Sequence, residues 1–125
     1  ALFTNSSAIR TVLLCSGKIY YELLERQERD KREDVALVRI EQLYPLRLDL
    51  LGEALALYPA AADYCWVQEE PANMGAWSFI RWQIAGLIGR EPRFVGRRED
   101  ASPAVGSHRV HKQEQEKLLN EAFAP

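Results

Sequence analysis

Thr11-Val12-Leu13-Leu14-Cys15-Ser16-Gly17-Lys18-Ile19-Tyr20-Tyr21-Glu22-Leu23-Leu24 decides the fold. The first five residues are uncharged and open on a β-branched pair, and Ser16-Gly17 ends them. So short a run, bounded by turn residues, reads as a buried strand. At Lys18 the period changes. Ile19, Tyr20, Leu23 and Leu24 recur at helical spacing to about Arg32, with charges on the other face. Strand, tight turn and helix therefore follow one another within about two dozen residues.

Working outward, the same unit repeats. Val35-Ala36-Leu37-Val38-Arg39-Ile40 predicts a second strand, which Tyr44-Pro45 stops. Asp49 is the expected cap of a helix through Leu55 to Tyr58, closed by Pro59. Tyr64-Cys65-Trp66-Val67 predicts a third strand, with the polar group Gln68-Glu69-Glu70-Pro71 after it. Gly75 to about Gly89 predicts a helix that is apolar nearly all round, with Asn73 as its expected cap. A helix of that kind has to be covered on more than one side, which in a small domain points to a partner surface. Arg93-Phe94-Val95-Gly96 predicts a fourth strand, residues 97–106 a loop and Ser107 to Phe123 a last helix. Four strand–helix units imply an α/β fold, a mostly parallel sheet with helices on both faces. Residues 1–10 read as a lead or linker and residues 11–125 as one domain.

Composition agrees with a globular chain. The 125 residues are 47% hydrophobic and 27% charged, with a net charge of −2. That balance disfavours a basic nucleic-acid binder. No apolar run approaches the roughly 18 residues that cross a bilayer, so no membrane partner is expected. Cys15 and Cys65 lie singly within apolar runs, where buried reduced thiols are expected rather than a disulfide or zinc site. With no signal-peptide pattern at residues 1–7, a reducing cytoplasmic compartment is the expectation, or the mitochondrial matrix in a eukaryote.

In open parallel sheets ligands bind beyond the carboxyl ends of the strands. Ser16-Gly17-Lys18, the stretch Glu41 to Tyr44, and Gln68-Glu69-Glu70-Pro71 all fall there. Ser16-Gly17-Lys18 opens a helix, whose unpaired N–H groups suit an anion, with Lys18 adding charge. The plainer reading is that Ser16 caps the helix and Lys18 faces water. Glu69 and Glu70 are consecutive on an extended chain and point opposite ways, so hydrogen bonding to the loop is expected rather than a shared acid–base site. Arg90, Arg93, Arg97, Arg98, Arg109 and Lys112 outnumber the acids around them and read as a solvated surface or an anion pocket. His108 and His111 lack a third ligand, so no metal is expected, and no catalytic residue is assigned in this chain.

Four ordered blocks carry a resemblance. Val12 to Leu23, Val38-Arg39-Ile40-Glu41-Gln42-Leu43-Tyr44-Pro45, Gln68-Glu69-Glu70-Pro71-Ala72-Asn73-Met74-Gly75-Ala76-Trp77, and Val95-Gly96-Arg97 with Ala101 to Gly106 together resemble the C-terminal domain of the decarboxylating component of 2-oxoglutarate dehydrogenase. Met74 stands where some members carry glutamine. The resemblance implies a transketolase C-terminal type of fold. It implies a parent enzyme using thiamine diphosphate and magnesium, bound in preceding domains, since the Gly-Asp-Gly…Asn diphosphate motif does not occur here. The implied partners are those domains, a second subunit, and the dihydrolipoyl succinyltransferase component. The fragment alone is expected to be inactive. Some relatives bind AMP or acetyl-coenzyme A near this domain, and Ser16, Lys18, Arg39 and Gln68 are the contacts that reading selects. The competing readings are a stand-alone anion- or nucleotide-binding module and the last domain of another thiamine diphosphate enzyme.

Overall fold

A computed structural model describes residues 6–98 and 108–124. A 3-10 turn at Ser6–Ala8 leads into β1 (Thr11–Cys15), α1 (Ile19–Asp30), β2 (Val35–Arg39), α2 (Leu48–Ala56), β3 (Asp63–Pro71), α3 (Trp77–Ile88), β4 (Arg93–Arg97) and α4 (His108–Phe123). The strands lie in the order β2-β1-β3-β4, and each neighbouring pair is parallel. Leu13 of β1 stands between Leu37 of β2 and Cys65 of β3.

The order explains the two helical layers. The chain steps from β1 to β2 in one direction, then crosses back over β1 to β3 and on to β4. Crossovers of one hand place helices on opposite faces when that direction reverses. Accordingly α1 and α4 pack one face through Leu23, Leu118, Leu119, Ala122 and Phe123 against Leu13, Cys15, Cys65, Val67 and Val95. On the other face α2 and α3 bring Leu51, Leu55, Trp77, Ile80 and Ile84 onto Val12, Leu14, Ala36 and Trp66. All five residues of β1 are buried because both of its faces are covered. Ile9 and Arg10, read from sequence as part of a lead, are held by the fold. Ile9 is buried in the α2/α3 layer, and the Arg10 carbonyl accepts N–H bonds from Ala62 and Asp63 at 2.9 and 3.1 Å.

The helix starts differ from expectation. Lys18 stands at the start of α1 and Ser16 makes no cap. Arg47 precedes α2, and Asp49 lies in its first turn, forked onto Arg47 at 3.0 and 2.7 Å. Ala76, not Asn73, precedes α3. For Asp49 the reason is visible, since its carboxylate is taken up by Arg47 instead of the helix N–H groups. β3 is longer than its apolar stretch. It runs through the polar group to Pro71, and β4 takes in Arg97 as well. Residues 99–106 of the expected loop and its motif block lie outside the described residues.

The β3–β4 pairing carries a bulge. Val67 pairs with Val95, and the next pair is Pro71 with Arg97. β3 therefore spends extra residues over the same rise. Gly96 sits opposite this excess, where a Cβ would lie 2.6 Å from the Glu70 carbonyl oxygen. Only glycine lets the two backbones meet there.

α3 is buried on one side only. Trp77, Ile80 and Ile84 enter the core, while Trp82 is 63% exposed and Leu87 39%. The second covering that its composition calls for does not come from the described part of this chain.

Candidate functional site

The strand order reverses between β1 and β3, so the crevice of this sheet opens past the carboxyl ends of those two strands. Ser16 is half-buried there and Gly17 turns the chain at φ +81. Lys18 then opens α1, exposed and without an acidic partner among the described residues. Arg39, at the end of β2, stands level with Cys15. Its guanidinium lies 5.4 Å from the Tyr20 ring and 5.1 Å from the Tyr21 ring, and donates to Tyr21 Oη at 3.3 Å. One exposed cation thus follows each of two neighbouring strand ends, and Arg39 lies beside Tyr20 and Tyr21 in the first turn of α1. Two cations beside a helix start suit a phosphate or carboxylate.

Gln68 does not join them. Strand parity sends it to the opposite face, under α3, where it is 4% exposed. Its Oε1 accepts from Trp66 Nε1 at 2.8 Å and from the Trp77 N–H at 3.2 Å. Its Nε2 donates to the carbonyls of Glu70, Pro71 and Met74 at 3.1, 2.8 and 2.8 Å. Every hydrogen-bonding position of the amide is occupied. Gln68 holds the loop from β3 to α3 and supplies the acceptor that Ala76 lacks at the start of α3. The bonding to loop backbone expected of Glu69-Glu70 is thus made by Gln68. Gly75, at φ +67, lets the loop close on it, because a Cβ there would stand 3.1 Å from Gln68 Oε1.

Glu69 turns the other way, to the α1/α4 layer, while Glu70 is exposed. Gln115 of α4 donates through Nε2 both to Glu69 Oε1 at 3.1 Å and to Glu22 Oε2 at 2.7 Å. Its Oε1 accepts from Arg97 Nη2 at 2.8 Å, and Arg97 also pairs with Glu114 and reaches His111 Nδ1 at 3.3 Å. A buried amide therefore ties α1, β3, β4 and α4 together beside the crevice. Sequence reading did not single out Gln115. The signal was there, since Gln115, Leu118, Leu119 and Ala122 share one helical stripe, and a polar residue on such a stripe is buried and needs partners.

The basic segment is mostly engaged within the fold. Arg93 forks onto Asp63 at 3.1 and 2.8 Å and donates to the Glu121 and Ala122 carbonyls. Arg90 donates to the Ala62 carbonyl. The side chain of His108 lies outside the described residues.

Cys15 and Cys65 are buried with their thiols unbonded to one another. Burial pushes both thiols up to about 12, against the smaller opposing pull of Arg39 on Cys15 and of Arg93 on Cys65. Neither is a nucleophile at neutral pH. No three His, Cys, Asp or Glu side chains converge on a cation position among the described residues, so these residues do not fit magnesium diphosphate.

Fold and site together define an open parallel α/β domain with an anion-suited crevice at its switch point. A solved structure of a split-gene transketolase, described as an inactive β4 tetramer, shares this fold with a TM-score of 0.58 at 16% identity, over 90% of this chain and 39% of that one. Residues 2–123 match the family model for the 2-oxoglutarate dehydrogenase C-terminal region. The 2-oxoglutarate dehydrogenase E1/E2 component of Corynebacterium glutamicum is 44% identical over 121 residues, which cover 95% of this chain and 10% of that protein. The E1 component of Rickettsia felis is 44% identical over 124 residues, 95% of this chain and 12% of its own. A multifunctional 2-oxoglutarate metabolism enzyme of Mycobacterium sp. (strain KMS) is 46% identical over 126 residues, 97% and 10%. The chain belongs to the 2-oxoglutarate dehydrogenase C-terminal family, and it spans only about a tenth of the length of these curated relatives.

Proposed function

We propose that this chain is the last domain of a thiamine diphosphate-dependent 2-oxoglutarate dehydrogenase component. In that role it supports decarboxylation of 2-oxoglutarate and transfer of the succinyl group to a succinyltransferase partner, within a dimer. The observation that carries this reading is the match itself: nearly the whole chain aligns, at 44–46% identity, with a tenth of proteins named for 2-oxoglutarate metabolism. The domain's own part is architectural and regulatory. Thiamine diphosphate and magnesium, when bound in the preceding domains, would supply the carbanion chemistry. The domain itself frames an effector site. Ser16, Lys18 and Arg39 receive the phosphates of AMP or acetyl-coenzyme A at the start of α1, and Gln68 fixes the neighbouring loop. Two buried reduced thiols suit the cytoplasm or the mitochondrial matrix.

The test has two arms. The complete gene product, supplied with thiamine diphosphate and magnesium, is expected to reduce ferricyanide with 2-oxoglutarate, and the 125-residue chain alone is not. A gene product that ends close to this chain would overturn the reading in favour of a stand-alone module. In the second arm AMP and acetyl-coenzyme A are titrated by calorimetry into the complete protein and its Lys18→Ala variant. Affinity is expected to fall about tenfold, the effect of ~1.4 kcal/mol from one charge-assisted contact. Equal affinities would remove Lys18 from the site.

A further inference from the structure

The two helical layers differ on their outer sides. Of the large apolar side chains that are exposed among the described residues, Tyr21 alone belongs to α1; the rest lie between Tyr44 and Leu87. The outside of α1 and α4 is laced with charge. Arg26 pairs with Asp30 at 2.7 Å and with Glu116 at 3.5 Å, joining the two helices. On the other layer Leu50 of α2 and Leu57, just past its C-terminal end, are both exposed. Leu87 of α3 comes within ordinary contact of the space above Gly52 of α2, so the two helices form one surface. Tyr44 extends it, its ring 4.8 Å from that of Phe79. Also on α3, Arg81 lies 5.0 Å from the Trp77 ring and 4.7 Å from the Trp82 ring, with Glu91 as its ion partner. An exposed tryptophan beside an arginine is the composition of an interface anchor.

We propose that the α2/α3 layer is the face on which this domain seats against the polypeptide preceding it in the longer chain. The inference rests on the reading that the chain is a terminal domain. Two observations choose this occupant over a second copy. About nine-tenths of each relative lies outside the matched part, and the family description places the match at the C-terminal end. Ile9, just ahead of β1, is buried within the α2/α3 cluster, so the described chain enters β1 from this layer. A domain tethered within reach of the patch meets it at an effective concentration on the order of millimolar, which an untethered copy has to match from solution.

The test uses the complete polypeptide with Trp82→Glu and Leu87→Glu together, which add no tryptic site, and Gln113→Glu on the exposed side of α4 as the control on the charged layer. Limited trypsin digestion is expected to release the domain at least tenfold faster in the double variant and at the wild-type rate in the control. Because both sites are exposed, circular dichroism melting of the variant is expected to retain the domain's transition. If it does not, hydrogen exchange of the unmutated protein decides: α2 and α3 amides are expected to be protected in the complete polypeptide relative to the 125-residue chain, and equal exchange overturns the proposal. Unchanged digestion with an intact fold also overturns it. So does a halved sedimentation mass with the domain still protected, since a second copy is then the occupant. A short gene product, by contrast, sinks the functional reading on which the proposal stands.

Discussion

Gln68 shows how one side chain sets a local structure. Its amide satisfies an indole, a helix N–H and loop carbonyls at once. Truncation to alanine leaves several of these groups buried without partners, at roughly 1–3 kcal/mol each before relaxation. Gln68→Ala is therefore expected to cost about 3 kcal/mol in urea unfolding, whereas Glu70→Ala, next but one and exposed, is expected to cost under ~0.5 kcal/mol. Equal effects would show that the hydrogen-bond hub is not what orders the loop. The sequence offered Gln68 and Lys18 as partners in one site because both follow strands. The structure separates them because the direction of a side chain depends on its parity along a strand, and a one-residue step reverses it.

Among the elements, α4 is the one whose placement depends most on distant residues. It carries no basic residue in its last turn. Instead two arginines from other elements reach its terminal carbonyls. Arg93 of β4 bonds those of Glu121 and Ala122, and Arg32, after α1, bonds that of Phe123 at 3.0 Å. Each is held by an aspartate: Asp63 keeps Arg93 firmly protonated, and the Arg32 guanidinium holds the Asp34 carboxyl below the usual carboxylate range. Cations at this end also oppose the helix dipole. Arg93→Met is expected to lower stability by about 2 kcal/mol and to raise hydrogen exchange in the last turns of α4 above all. Arg93→Lys is expected to recover less than half, since an ammonium cannot fork onto Asp63 while reaching two carbonyls. Full rescue by lysine would reduce the clamp to a simple charge effect. From sequence, Arg93 reads as part of a solvated basic surface or an anion pocket. Nothing local in Arg93-Phe94-Val95 names a carbonyl 28 residues away.

Across the whole molecule, Cys15 on β1 and Cys65 on β3 report on the intact sheet, since they lie in the same α1/α4-side core. Their thiols are held neutral by burial, up to about 12, against roughly 8.5 in an unfolded chain. The native state thus keeps protons that the unfolded state gives up. The associated stability is complete below about pH 8.5 and is lost as pH rises from there toward 12. Two consequences can be measured. Urea midpoints are expected to fall steadily above pH 9, and less steeply in a Cys15→Ala/Cys65→Ala variant. At pH 8 a disulfide reagent is expected to label neither thiol until urea opens the fold. Rapid labelling of the native protein would show that the sheet opens locally.

What the sequence determined by itself was the alternation of strand and helix, the parallel sheet it implies, and the family. These rest on hydrophobic period and local turn chemistry, which neighbouring residues carry among themselves. The apolar character of α3 was legible too, while the structure buries only its Trp77, Ile80 and Ile84 side. What only the tertiary structure decided was which polar residues meet. Gln68 with the start of α3, Gln115 with Glu22 and Glu69, and Arg93 with the end of α4 are each contacts between segments far apart in the chain. They depend on strand order, parity and the bulge opposite Gly96, and none of those is encoded within one stretch of residues.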